Sequence, residues 1–146
     1  MKLIISALLG LMTFTPTGWL LDFEQAKLVA KNDNKFILLN FSGSDWCGPC
    51  IRMTRDIFES DQFQKYATEK LVLVNADFPR SKKHKLPGEQ QKKNDQLAEV
   101  YNKEGIFPLT MLLTSEGKIV KTWEGFQPVT PEEFNKQIDA LINAGK

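Results

Sequence analysis

An almost continuous apolar run, Phe36 to Phe41, constrains the fold of this chain more than any other feature of its sequence. The run reads Phe-Ile-Leu-Leu-Asn-Phe, without the alternation of apolar and polar side chains that marks a half-exposed strand. A strand of this kind is buried on both faces, as in parallel sheets whose two faces are covered by helices. The rest of the chain therefore has to supply helices for both sides of a sheet.

Shorter patterns supply the other strands and the helices. Further strands are predicted at Leu71 to Val74, Leu109 to Leu113 and Ile119 to Trp123, the last two joined by a hairpin turn at 115–118. Helices are predicted over Asp22 to Lys31, after Cys47, after Ser60, around Leu97 to Tyr101 with Gly105 as C-terminal cap, and from Pro131 onward, where Thr130 and Glu133 form a capping box. This order predicts an α/β fold with a central mixed β-sheet flanked by helices on both faces.

The N-terminus has the pattern of a secretory signal peptide. Lys2 is followed by the uncharged apolar run Leu3 to Phe14 and then by the helix breakers Pro16 and Gly18. The run is shorter than the roughly 20 residues that span a bilayer. An uncleaved anchor or a first buried strand are the alternatives. We expect a cleaved signal peptide over 1–18, a single domain over 19–146, and export to the periplasm or the extracellular space, where disulfides persist.

Charge excludes little and points to one unusual segment. The chain has 19 basic and 18 acidic residues, so its net charge predicts no nucleic-acid partner. Lys82 to Lys93 is strongly basic and contains Pro87 and Gly88, which indicates a surface insertion. It is either a solvated loop, which is the commoner case, or a docking site for an acidic partner. His84, among these lysines, is expected to be exposed and inert.

The two cysteines, Cys47 and Cys50, leave four interpretations to compare. A structural zinc site needs four ligands, which this pair and the single His84 cannot supply. Covalent haem attachment needs His after the second cysteine, and Ile51 stands there. A purely structural disulfide closing so short a loop would stabilise the chain by only about 2 kcal/mol.

A redox-active pair accounts for more of the local sequence, because the cysteines lie where a buried strand passes into a helix. The nucleophile in disulfide exchange is a thiolate, and a helix N-terminus stabilises that charge. Cys47 is expected to meet solvent and attack, while Cys50, one turn into the helix, resolves the mixed disulfide. Pro49 suits the first helical turn, Gly48 permits close approach, and Trp46 shields one side. A Cys-x-x-Cys near a βαβ pattern is typical of this chemistry.

The five residues Trp46-Cys47-Gly48-Pro49-Cys50 match the thioredoxin active-site motif, and the chain from about Asp22 onward resembles the thioredoxin family in its order of elements. The resemblance implies a cis proline at Pro108 that faces the cysteines, with Phe107 and Pro108 binding the extended substrate. Without the resemblance, the default for Pro108 is a trans loop proline.

The resemblance also implies a function. It implies a protein-disulfide oxidoreductase, and the Gly48–Pro49 dipeptide favours reduction of protein or small-thiol disulfides. We expect a monomer with no metal and no cofactor beyond the redox-active disulfide, supplied with electrons by a membrane thiol–disulfide donor. The alternatives are a disulfide oxidase or isomerase, or a non-enzymatic binding or metallochaperone module.

The chain departs from the family pattern at Asn40, which stands where thioredoxins carry a buried Asp that is proposed to relay a proton. An amide cannot act as a general base, and Asp45 is expected to be too exposed to replace that carboxylate. Leu109 also intervenes between Pro108 and Thr110. Trp123 and Phe126 are expected to pack in the core and at its edge.

Overall fold

The computed structural model describes residues 18–145. The signal peptide predicted over 1–18 therefore lies, except for Gly18, outside the described residues. None of the helices in the described part is long and apolar enough to cross a membrane.

A four-stranded sheet forms the centre of the molecule. Its strands are β1 (Phe36–Ser42), β2 (Leu71–Asp77), β3 (Leu109–Leu113) and β4 (Ile119–Glu124), and they lie in the order β2-β1-β3-β4. β1 is parallel to β2 and antiparallel to β3, and β3 is antiparallel to β4. The predicted mixed sheet is thus confirmed, with the apolar run of β1 at its centre.

Helices cover both faces of this sheet, as β1 requires. They are α1 (Phe23–Asp33), α2 (Gly48–Met53), α3 (Asp61–Lys70), α4 (Gly88–Tyr101) and α5 (Pro131–Ala144). α2 continues without a break into a π-helical turn, Thr54–Phe58, and a 3₁₀ turn covers Lys82–His84. The predicted capping box of α5 is present, because Thr130 accepts from the Glu133 N–H and the Glu133 side chain accepts from the Thr130 N–H.

Two apolar clusters separate the helices by face. On one face, Leu38 and Leu112 pack with side chains of α2, α3 and α5, such as Met53, Phe63 and Phe134. On the other face, Leu39 and Met111 pack with residues of α1 and α4. Period-2 alternation along β1 sends Leu38 to the first cluster and Leu39 to the second.

The loop formed by the basic segment is shorter than predicted. α4 begins at Gly88, so residues 88–93, predicted as part of the surface insertion, form its first turns. The sequence pattern does not show where α4 begins, because the one buried side chain of this helix is polar and not apolar. The Asn94 amide donates to the carbonyl of Asp77 at 2.9 Å. The prediction of Gly105 as the C-terminal cap is also wrong. α4 ends at Tyr101, and the Asn102 side chain closes the turn on the N–H and C=O of Ile106.

Candidate active site

The cysteine pair lies at the N-terminus of α2, directly beyond the carboxyl end of β1. Cys47 is the N-cap residue of α2, and its sulfur accepts from the N–H of Cys50 at 3.3 Å. The two sulfurs are joined in a disulfide. Pro49 lies in the first turn, where its missing N–H has no helical partner to lose.

Cys47 is less accessible than the sequence suggests. It is 4% exposed and Cys50 is 2% exposed, so the prediction that Cys47 meets solvent is wrong for this disulfide form. The reason is local, because the Cys47 side chain turns back over the helix start to cap the Cys50 N–H. Gly48 and Pro49 are the exposed part of the motif.

Trp46 is held at one side of the pair by contacts with residues distant in sequence. Its indole N–H donates to the carbonyl of Phe78 at 2.7 Å, and its ring meets the ring of Phe107 edge to face at 5.5 Å. The guanidinium of Arg80 stacks on the same indole, 3.6 Å from its centroid. Trp46 therefore connects the cysteine motif to the residues after β2 and before β3.

The Phe107–Pro108 peptide bond is cis, which confirms the prediction made from the resemblance. Phe107 is half-buried against Trp46 and Phe78. The Pro108 carbonyl accepts from the N–H of Gly125, which follows β4. The structure thus brings Phe107 and Pro108 to the side of the molecule that carries Trp46 and the cysteines.

Asn40 lies in a buried polar row that crosses three strands. Its Nδ2 donates to Oδ1 of Asn75 on β2, and its Oδ1 accepts from the Thr110 hydroxyl on β3, both at 3.0 Å. Asn40 is 3% exposed and Thr110 is fully buried. The sequence singles out Asn40 but gives neither of its partners directly. The pairing with Asn75 was nevertheless predictable from the sequence. The two parallel strands each carry a polar residue near the carboxyl end, and such residues lie side by side when the strands pair.

A cleft of about 430 Å³, lined mostly by polar residue types, reaches Cys50 on the face that α2 covers. Asn75 lines it from the sheet, while Thr54 and Glu59 line it from the helix and the turn after it. The Arg55 guanidinium, also at this cleft, pairs with Asp56 through Nε and Oδ1 at 2.6 Å. Cys50 therefore adjoins hydrogen-bonding groups as well as the apolar core.

Asp45 is not exposed, contrary to expectation. Its side chain is only 9% accessible, because residues after β2 fold over it. Its two oxygens accept from the N–H groups of Arg80 at 2.9 Å and Ser81 at 2.8 Å, and Nδ1 of His84 lies 3.1 Å from Oδ2. These contacts, the Arg80 N–H first, hold the pKa of the Asp45 carboxyl below its usual range. His84 is exposed as predicted, but it is a partner of Asp45 and not an isolated side chain.

The remaining candidate residues lie beside the site or beneath it. Trp123 is buried, and its indole N–H donates to Gln137, so the prediction of core packing is confirmed. Phe126 lies half-buried at the edge of the same cluster, and the Arg52 guanidinium of α2 stacks on its ring at 4.2 Å. Within residues 18–145, no group of three or more His, Cys, Asp or Glu side chains is arranged to hold a metal ion.

Comparison with known proteins gives a consistent set of relatives. A family model described as a thioredoxin-like domain matches residues 23–142. The disulfide bond reductase DsbH of Chlamydia pneumoniae is 41% identical over 107 residues, which is 73% of this chain and 62% of DsbH. The thioredoxin-related protein DsbJ of the same organism is 37% identical over 60 residues, 41% of this chain and 17% of DsbJ. The chain thus spans less than two thirds of the length of either relative.

Structural comparison points the same way. A solved structure of a DsbH oxidoreductase superposes with a TM-score of 0.78 at 32% identity, covering 86% of this chain and 84% of the other. The sheet order and the helices on both faces are thus those of a thioredoxin fold, with the Cys-x-x-Cys pair after β1 and a cis proline before β3. Since the family model spans nearly all of the described residues, this chain belongs to the thioredoxin-like domain family.

Proposed function

We propose that this protein is a thiol–disulfide oxidoreductase that reduces protein disulfides through a dithiol–disulfide cycle of Cys47 and Cys50. The observation that carries the proposal is the Cys47–Cys50 disulfide at the start of α2, on the side where the ring of Phe107 meets Trp46. The likeness to a disulfide bond reductase supports the same class of reaction.

In the proposed cycle, the reduced form of Cys47 is the nucleophile. Its thiolate attacks one sulfur of the substrate disulfide, and the other substrate sulfur leaves as a thiolate that takes up a proton. The thiolate of Cys50 then attacks Sγ of Cys47, which re-forms the Cys47–Cys50 bond and releases the second substrate thiol. The substrate gains two electrons and two protons, and the protein dithiol loses them.

The start of α2 is suited to hold Cys47 both as a disulfide and as a thiolate. The N–H of Cys50 already donates to Sγ of Cys47. A thiolate at Cys47 would therefore be stabilised by this hydrogen bond and by the positive end of the α2 dipole. Phe107 and Pro108 are proposed to bind the extended substrate chain, with Trp46 and Gly48–Pro49 shaping the surface around the sulfurs. Asn75 and Glu59 line a cleft through which Cys50 could exchange its proton with water.

Trapping tests the order of the cysteines. With Cys50→Ser, a mixed disulfide between Cys47 and a disulfide-bonded substrate protein should accumulate, because no resolving thiol remains. Mass spectrometry of the trapped species would locate the bond. The matched Cys47→Ser variant should trap nothing. Trapping only in Cys47→Ser would reverse the proposed roles.

The direction of the reaction rests on a single quantity, the reduction potential of the pair. Thioredoxin lies at about −270 mV and the oxidant DsbA at about −120 mV. We propose the reducing direction and expect equilibration with glutathione to place this pair near the thioredoxin value. A potential near that of DsbA would favour the oxidase alternative. Stoichiometric metal that survives purification, with both thiols unreactive, would favour the metallochaperone alternative.

We further propose that the protein acts outside the cytoplasm, after cleavage of a signal peptide near residue 18. The charged Lys2 and the apolar run Leu3 to Phe14 support this. A reductase there needs a supply of electrons, for which we propose a membrane thiol–disulfide donor. Cell fractionation followed by N-terminal sequencing tests the location: a cytoplasmic protein that begins at Met1 would contradict it.

A further inference from the structure

Four cations on the chain after β2 form what we call the basic rim: Arg80, Lys82, Lys83 and Lys85. We infer that the basic rim is a docking surface for an acidic polypeptide segment that carries or adjoins the substrate disulfide. The inference rests on the proposed function and specifies its class of substrate.

The rim is attached to the residues that precede Cys47. Asp45 accepts the N–H groups of Arg80 and Ser81, and it contacts His84, so the backbone of the rim is held by a residue two positions before the cysteine. Arg80 stacks on Trp46, which directly precedes Cys47. The rim therefore adjoins the cysteine motif through Arg80.

The charges of the rim face solvent. All four side chains are exposed, and none of them takes part in the ion pairs found within residues 18–145. Asp45, the carboxylate beneath them, is 9% accessible and is occupied by the hydrogen bonds that hold the rim. The surface presented to a partner is thus cationic, although the net charge of the whole chain is only +1.

A further cation lies on the opposite side of the motif. The basic rim follows β2, at one edge of the sheet, and Phe126 follows β4, at the other edge. Arg52 of α2 is exposed and stacks on the Phe126 ring at 4.2 Å. The cysteine motif, which follows the central strand β1, is therefore bordered by arginine–aromatic stacks on both sides. Acidic residues flanking a substrate disulfide would meet complementary charge whichever side they occupied.

Single-turnover reduction of matched peptides tests this. Three disulfide peptides, identical except for Glu, Lys or Ser beside the cysteines, are mixed with prereduced full-length protein, and the second-order rate constant is followed by tryptophan fluorescence. At low ionic strength we expect the Glu peptide to react roughly tenfold faster than the Lys peptide. The ratio should approach one at about 0.5 M salt, because exposed charges are then screened. The rates of the same peptides with dithiothreitol correct for their intrinsic reactivity.

Charge reversal separates the rim from the rest of the surface. In the variant Lys82→Glu/Lys83→Glu/Lys85→Glu the Glu-to-Lys rate ratio should fall below one. The control Lys65→Glu/Lys70→Glu/Lys118→Glu changes the net charge equally, but Lys70 and Lys118 lie at the end of the sheet where β1 begins, so it should keep most of the preference.

The outcomes distinguish the inference from the proposed function. Equal rates for the three peptides, equal effects of the two triple variants, or a rim that binds anionic vesicles or DNA without any effect on the peptide ratio would overturn the docking inference and leave the reductase proposal standing. Failure of the protein to reduce any of the peptides would overturn the proposed function itself.

Discussion

At the scale of single residues, Asn40 supplies a neutral amide on the face of the sheet where the cleft reaches the buried Cys50. Its amide bridges Asn75 and Thr110, and Asn75 lines the cleft that reaches Cys50. An amide satisfies both neighbours, since it donates to one oxygen and accepts from one hydroxyl. A carboxylate in its place could accept from Thr110 but would confront the Oδ1 of Asn75 with a second acceptor and a negative charge.

We therefore predict two effects of Asn40→Asp. The free energy of unfolding should fall by about 1–3 kcal/mol, because the hydrogen bond to Asn75 is lost and a new charge is buried at position 40. The pH midpoint of the alkylation profile of Cys47 in the reduced protein should be higher than in the parent, because a carboxylate on this face disfavours a nearby thiolate and so raises the thiol pKa. Denaturant melts and a pH profile of iodoacetamide reaction measure the two.

Thr110→Val is the matched control for that variant. It removes a hydrogen bond from the same row without adding charge, so it should lower stability by about 1 kcal/mol and leave the alkylation midpoint in place. If Asn40→Asp and the parent protein gave identical alkylation profiles, Asn40 would be electrostatically remote from the cysteines, and its correspondence to the thioredoxin Asp would be wrong.

At the scale of elements, the segment after β2 is held to the motif by Asp45. The pKa of that carboxyl is lowered chiefly by the N–H of Arg80, and also by Ser81 and His84. A carboxyl whose pKa is depressed by folding contributes stability that is complete above its unfolded pKa of about 3.9 and is lost as the pH falls through its folded pKa. The attachment of the segment should therefore weaken in acid below about pH 4.

Hydrogen exchange of the Arg80 and Ser81 amides tests this attachment. In the parent protein, their protection relative to intrinsic rates should hold at neutral pH and decline in acid. In Asp45→Asn it should be several-fold lower at neutral pH and nearly independent of pH, because the variant cannot ionise. Asp56→Asn is the control, since Asp56 pairs with Arg55 and has no contact with this segment. Unchanged protection in Asp45→Asn would mean that the segment is held by the Trp46 and Phe78 contacts alone.

At the scale of the whole molecule, one sheet serves two cores. Leu39 faces the cluster under α1 and α4, and Ile138 of α5 lies in the cluster on the opposite face; both are fully buried. Because β1 contributes alternate side chains to both clusters, neither core can melt while the other keeps its sheet. The described part of the chain should unfold as a single cooperative unit.

We predict that Leu39→Ala and Ile138→Ala each lower the unfolding free energy by about 2–5 kcal/mol and that each variant keeps a single transition. Far-ultraviolet circular dichroism and tryptophan fluorescence should give coincident denaturation curves. Leu28→Ala, at a side chain 65% exposed, should change stability by less than about 0.5 kcal/mol. Separate transitions in either core variant would show that the two faces unfold independently.

The sequence by itself determined the features that neighbouring residues specify. The apolar run of β1 predicted a strand buried on both faces, and the Thr130–Glu133 capping box located the start of α5. The spacing of Cys47 and Cys50 after that strand predicted the bonded pair at a helix start. In each case the pattern and the structure it specifies lie within a few positions of the chain, so local propensity and periodicity were sufficient.

Only the tertiary structure decided which distant side chains meet. Asn40 and Asn75 are 35 positions apart, and Arg80 and Asp45 also 35, so their contacts follow from the register of β1 on β2 and not from local pattern. The same packing covered Asp45, which local polarity had predicted to be exposed, and buried the polar Asn94, which concealed the start of α4. Such contacts depend on strand pairing, because a buried polar group can form hydrogen bonds only with the groups that the fold places beside it.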